Sequence, residues 1–383
     1  MTATQRVTHA AGGIIVAMRL FGWLAAVSVG LATVGAAAMH RQATAVSAAP
    51  NGPVKVAEFI NDDAPYPECH ASTIVEASPG RLVAAWFGGT REGAADVSIW
   101  VARHDGTRWL PAKAVADGRQ EDGTRHPTWN PVLFKPAAGP LFLFYKVGPS
   151  PREWWGMVRT SADGGATWSE ARRLAAPLLG PIKNKPVVLA DGTWLSASST
   201  EGTPTGWRAH FEASRDGGAT WQFAGPIDKG PESLEAIQGS VLFIGGDRLL
   251  ALLRTRNGVL AATRSADNGR TWSPLAPSGL PNPNSGTDAL TLRDGRHLLV
   301  FNNSRPPAGR TSGPRYPLDV ALSGDGERWD VALTLESEPR PHGYAYPAVI
   351  QAADGLVHIT YTWNRQRIKH VVIDPAALGR QPT

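Results

Sequence analysis

Cysteine is almost missing from this 383-residue sequence, with Cys69 as its single copy. An internal disulfide and any multi-cysteine metal site are therefore excluded. A lone cysteine is ordinarily a small buried hydrophobe and less often a nucleophile. Charge is also sparse, at 19% of residues. No run of like charges occurs, nor a basic stripe interleaved with aromatics, so the usual footprint of nucleic-acid binding is lacking. Arg6 and Arg19 fall in an N-terminal leader, which leaves 36 of the 38 Lys and Arg against 33 Asp and Glu. That small positive excess gives a mildly attractive field for anions. No spacing of His, Asp and Glu fits a zinc site, and no glycine-rich phosphate loop is found, so neither a metal nor a cofactor is expected.

What the sequence does hold is 41 Gly, 31 Pro and 14 Trp. This composition fits many short strands joined by tight turns, and the expected fold class is all-β. The first 19 residues carry two arginines and no acid, residues 20–39 carry no charge, and Ala36-Ala37-Ala38 supplies small residues for a signal peptidase. Residues 1–39 thus read as a signal peptide, with an uncleaved N-terminal membrane anchor through 20–39 as the alternative. Either places the folded part outside the cytoplasm, in the periplasm or beyond the cell. Residues 40–53, rich in Ala, Ser and Pro, read as a linker.

Self-similarity organises the remainder. Ser161-Ala-Asp-Gly-Gly-Ala-Thr-Trp168, Ser214-Arg-Asp-Gly-Gly-Ala-Thr-Trp221 and Ser265-Ala-Asp-Asn-Gly-Arg-Thr-Trp272 are three copies of one pattern, and shortened copies end at Trp109 and Trp329. The five tryptophans recur every 51 to 59 residues. In such a motif Asp caps backbone N–H groups, Gly takes a positive φ, and Trp buries its ring between sheets. Recurrence argues for a structural role, since one active site needs its aspartate once. Between the motifs, apolar runs such as Leu141-Phe-Leu-Phe-Tyr145 and Leu249-Leu-Ala-Leu-Leu253 read as strands buried on both faces. Five units occupy about 68–335, and Tyr346–Ile350 with Val357–Tyr361 begin a sixth. The expected architecture is a six-bladed β-propeller over 54–375, followed by a tail over 376–383. Val54-Lys-Val-Ala-Glu-Phe-Ile60 is the spare strand that closes the last blade.

These repeats resemble the Asp-box, or BNR, repeats of the bacterial sialidase (neuraminidase) superfamily over roughly 54–375. The resemblance implies an active site at one end of the central axis. There, three arginines clamp a substrate carboxylate, a tyrosine paired with glutamate is the nucleophile, and an aspartate is the acid/base. Where the first arginine is expected, this sequence has Glu68-Cys-His-Ala-Ser72. Arg254 in Leu252-Leu-Arg-Thr-Arg256 matches the second, with Gln238 at the glutamate position, and Arg315 before Tyr316-Pro-Leu-Asp-Val320 matches the third. In Gly343-Tyr-Ala-Tyr-Pro347, Tyr344 takes the nucleophile position and Tyr346 is its rival. The loop Gly88–Asp96 offers Glu92 and Asp96 as acids, and Arg91 as a substrate contact. Gln238 cannot accept the phenol proton, so unmodified sialidase chemistry does not follow from these residues.

Other polar residues fall in segments expected near the axis: His70, Trp129-Asn130, Lys183-Asn-Lys185, Glu201 and Asn364-Arg365 among them. His70 is a reserve acid or base, because its ordinary pKa lies close to neutrality. Lys183 and Lys185 read as anion-binding, Asn130 and Trp129 as sugar contacts, and Arg152-Glu-Trp-Trp155 as a loop over the mouth of the site. The function expected is removal of a terminal, acidic sugar from extracytoplasmic glycans by an exo-glycosidase. A lyase acting on uronic-acid glycans and a non-catalytic glycan-binding propeller are the alternatives. The partner expected is a glycan, with no nucleic acid and no protein partner implied.

Overall fold

The computed structural model describes residues 52–202 and 206–379. The leader expected over 1–39 lies outside the described residues, as do residues 40–51 of the linker and 380–383 of the tail. Among the described residues, six antiparallel sheets of four strands follow one another along the chain. Blade 1 comprises Glu68–Ser78, Arg81–Gly89, Ser98–Arg103 and Lys113–Ala116, and blade 2 Thr128–Phe134, Leu141–Val147, Trp155–Ser161 and Arg172–Arg173. Blade 3 is Val187–Val188, Trp194–Thr200, Arg208–Ser214 and Gln222–Ala224; blade 4 is Ala236–Gly245, Arg248–Thr255, Val259–Ser265 and Ala276–Pro281. Blade 5 holds Asp288–Thr291, His297–Asn302, Leu318–Ser323 and Asp330–Glu336. Blade 6 takes Tyr344–Gln351, Val357–Trp363 and Arg367–Ile373, and Val54–Phe59 pairs antiparallel with its outer edge. The spare N-terminal strand therefore does close the ring, leaving blade 6 with no open edge there.

The first strands of blades 1, 2, 4, 5 and 6 lie innermost: that of blade 1 contacts those of blades 2 and 6, and that of blade 5 contacts those of blades 4 and 6. Second strands are the most completely buried, because both faces meet neighbouring blades. Every residue of Leu141–Val147 is buried, and every residue of Arg248–Thr255 except Arg248. Each large side chain so buried contributes roughly 1.5–3 kcal/mol.

The repeated motifs turn the chain between third and fourth strands. In the copy at 161–168, Asp163 accepts the backbone N–H groups of Ala166 and Thr167 and the Thr167 hydroxyl, while Ser161 Oγ accepts Gly165 N–H. The copies at Asp216 and Asp267 repeat this network. The tryptophans pack between blades as expected: Trp272 stacks on Phe211 of blade 3 at 3.9 Å, and Trp221 meets Phe144 of blade 2 edge-on at 5.8 Å.

Candidate functional site

Four innermost strands carry the same irregularity near their starts. The pairing register skips between His70 and Thr73, Trp129 and Val132, Ile237 and Ser240, and Ala345 and Ala348. Within each skip one non-glycine residue adopts the left-handed region: Ala71 (φ 61°), Asn130 (φ 36°), Gln238 (φ 57°) and Tyr346 (φ 52°). Such residues cost on the order of 1 kcal/mol or more each, and bulges of this kind re-aim side chains that strict alternation would send elsewhere. Here they bring blades 1, 4 and 6 together around Tyr346. Gln238 Nε2 donates to the Tyr346 hydroxyl at 3.3 Å, and the His70 ring lies 4.2 Å from the Tyr346 ring. Gly286 completes the approach, because a Cβ there would stand 3.2 Å from Gln238 Oε1 and 3.3 Å from both Lys183 Cε and Tyr346 Cδ2.

Arginines surround this aromatic pair. Arg254, 8% exposed, donates to the Tyr346 hydroxyl at 2.5 Å, to Gln238 Oε1 at 3.2 Å and to Asn284 Oδ1 at 2.8 Å. Its guanidinium also lies 5.0 Å from the Trp207 ring, and that of Arg315 lies 5.9 Å from the Tyr346 ring. Arg365, at the turn into the last strand of blade 6, pairs with Glu92 at 2.6 Å. Its carbonyl accepts the Cys69 N–H at 2.7 Å, so it stands beside the very segment, Glu68–Ser72, that lacks an arginine in the sequence. The electrostatics bear out this crowding. Burial, then Arg365, Arg315, Arg254 and Lys183, hold the His70 imidazole well below its ordinary range, so it is neutral. Burial and Arg254 push Arg315 down to about 10, with Tyr346 and Glu92 opposing. A concentration of positive charge, buried at Arg254 and partly exposed at Arg315 and Arg365, beside one tyrosine hydroxyl is suited to an anion.

Several expectations are corrected. Tyr344 does not join the cluster: its hydroxyl donates to the Glu338 carbonyl at 2.9 Å and its ring packs in the core with Leu318, Val320 and Tyr361. The bulge at Tyr346 breaks the two-residue alternation that would have put both tyrosines on one face. Asp96 is exposed, and its carboxylate is occupied by the Thr90 N–H and hydroxyl at 2.9 and 2.7 Å. Arg91 is exposed on the same loop, whereas Glu92 is brought into the cluster through Arg365. Lys183 donates to the carbonyls of Thr287 and Pro347, and Lys185 pairs with Asp288 at 2.9 Å. Both ammonium groups therefore brace blades 5 and 6 and are not presented to a ligand. Lys183 is buried enough that desolvation brings it down to about 7. Between them Asn184 donates to the Gln238 carbonyl and Ser240 Oγ, fixing the bulge of blade 4. Trp129 donates its N–H to the Gly148 carbonyl and packs against Phe87 and Trp154, which is blade packing, and Asn130 is buried at its bulge. Cys69 is buried, and desolvation pushes its thiol up to about 12, the condition of an inert side chain. Arg365 is the residue that sequence reasoning singled out least, because its neighbourhood is made by ring closure and not by any local motif.

Comparison with known proteins agrees with the fold. The family model described as "BNR repeat-like domain" matches residues 80–359, and the chain belongs to that family, within the sialidase superfamily. A curated relative, "Anhydrosialidase" from Macrobdella decora, is 22% identical over 237 residues, covering 55% of this chain and 30% of the relative, so the match spans under a third of that protein. Among solved structures, a Hadza microbial sialidase, Hz136, superposes with a TM-score of 0.71 at 18% identity, over 84% of this chain and 69% of that one. The intramolecular trans-sialidase from Ruminococcus gnavus, solved with oseltamivir carboxylate, gives 0.66 at 14% identity, over 88% of this chain and all of the other. At such identities the likeness extends to the six-bladed fold.

Proposed function

We propose that this protein is a glycoside hydrolase that removes a terminal acidic sugar from glycans outside the cytoplasm. The observation that carries the proposal is the convergence of Arg254, Arg315 and Arg365 on Tyr346 and a neutral His70. The guanidiniums would take the sugar's carboxylate as charge-assisted hydrogen-bond donors. Tyr346, receiving N–H donors from Arg254 and Gln238, would take up negative charge as it attacks or stabilises the oxocarbenium-like centre. The intramolecular trans-sialidase and anhydrosialidase among the similar proteins support sugars of the sialic acid type. The charge-poor leader over 20–39 supports an exported setting.

One observation favours a second reading. A neutral imidazole packed on a tyrosine ring beside arginines is also the equipment to abstract a proton next to a uronate carboxylate, which is lyase chemistry. The test is to incubate the purified full chain with sialosides and uronate-containing oligosaccharides and to identify products by mass and ultraviolet absorbance. Release of a saturated terminal acid is the expected result. An unsaturated uronide would replace the hydrolase by a lyase, and binding without turnover would leave a glycan-binding propeller.

A further inference from the structure

The cation cluster accounts for an acidic sugar but not for what that sugar is attached to. We propose that the cleft between the Pro151–Trp154 loop of blade 2 and the Thr200–Gly202 turn of blade 3 holds the leaving group, a neutral sugar, and that Glu201 donates the proton that releases it. This rests on the glycosidase reading above. The cleft encloses about 290 Å³ and is lined by Arg152, Trp154, Leu179, Thr200 and Glu201. That volume is at the lower end for small-molecule sites and suits a single sugar ring. Trp154 is buried, 8% exposed, yet its indole N–H has no partner among the described residues. Trp154 also forms part of the cleft wall, and an aromatic ring there suits the face of a sugar.

Glu201 links the cleft to the cluster. Arg254, which binds the Tyr346 hydroxyl, and Glu92, which is paired to Arg365, both act on its carboxyl. Burial raises its pKa above the ordinary glutamate value, more than Arg254 and Arg256 lower it, and Glu92 raises it further. The neutral carboxyl of Glu201 is thereby favoured relative to an ordinary glutamate, which is the direction a proton donor needs. Asp96, exposed and capping its own loop, is not placed for this step. In the reaction, the bond from the anomeric carbon to the bridging oxygen breaks, and that oxygen takes the Glu201 proton. Water adds to the anomeric carbon in its place, and its released proton restores the carboxyl.

A proton donor matters only for a leaving group too basic to depart alone, and that is how the step is tested. The full chain and its Glu201→Gln variant are assayed on the sugar acid that the glycan panel identifies, carried once on lactose and once on para-nitrophenol. We expect Glu201→Gln to lower kcat/KM at least about a hundredfold on the lactoside and less than about tenfold on the nitrophenyl glycoside, with the alkaline limb of the pH profile lost. Trp154→Leu, which removes the ring from the cleft wall, should raise KM for the lactoside more than for the nitrophenyl glycoside. Equal losses on both substrates, or full lactoside activity in Glu201→Gln, overturn the inference while leaving the hydrolase standing. A wild-type chain that cleaves neither overturns the glycosidase reading and this inference with it.

Discussion

At the scale of single residues, the account turns on two tyrosines separated by one alanine. Tyr344 and Tyr346 are alike in the sequence, and a strand drawn with regular alternation presents both on one face. The left-handed backbone at Tyr346 decides between them, and nothing in a run of apolar and aromatic letters announces it. Tyr346→Phe should therefore abolish most turnover, at least a hundredfold in kcat, while the chain still unfolds in one cooperative melt. Tyr344→Phe should keep activity and cost about 1 kcal/mol through the lost bond to the Glu338 carbonyl. Steady-state kinetics and thermal melts on the pair separate the two roles. Gly286 supplies a further check, since Gly286→Ala presses on Gln238, Lys183 and Tyr346 together and should lower activity with all catalytic groups present.

At the scale of elements, the repeated turn was the most legible feature because it is local: Ser, Asp, Gly and Thr within a few residues satisfy one another whatever surrounds them. The Thr271 hydroxyl, followed by its N–H, draws Asp267 down to about 2, and Thr220 does the same for Asp216. A carboxylate whose folded pKa is depressed stabilises the fold above its unfolded pKa near 4, and that stability is lost as pH falls from about 4 toward 2. Asn at both positions should lower the melting temperature at neutral pH and flatten its decline across that acid window, as measured by thermal melts at stepped pH. The bulges, by contrast, were not legible. They arise where innermost strands from different blades crowd the axis, and no pattern within one strand encodes that crowding.

At the scale of the whole molecule, closure joins chain segments that the sequence keeps far apart. The spacing of five tryptophans marked five blades, the runs Tyr346–Ile350 and Val357–Tyr361 marked the sixth, and the spare strand at Val54 was readable because it had no other partner. The seam it forms is titratable. Glu58 on that strand accepts from Trp109 at 3.0 Å and pairs with His370 at 2.9 Å, and His370 in turn meets His358 at 3.0 Å. Burial, then His370, brings His358 down to about 4; although burial raises Glu58, the bond and charge of His370 bring it down overall. A histidine lowered in the fold costs stability as pH falls from about 6.5 to 4, and the lowered glutamate loses its contribution as pH falls further, so acid loosens the seam by both routes. Amide exchange in Val54–Phe59, corrected for intrinsic rate, should accelerate at pH about 5 relative to 7.5, while Leu141–Val147 stays protected.

Closure also builds the site, since Arg365 reaches blade 1 only because the last blade meets the first, and His70 bonds Thr362 across 292 residues. The central claim, that Arg254, Arg315 and Arg365 hold a substrate carboxylate, is tested most directly by comparing a cleaved acidic glycoside with its methyl ester. Each lost charge-assisted bond is worth about 1.5–3 kcal/mol. The account predicts that kcat/KM for the free acid exceeds that for the ester at least about a hundredfold, and that Arg365→Ala shrinks the ratio. Equal rates on acid and ester would contradict it.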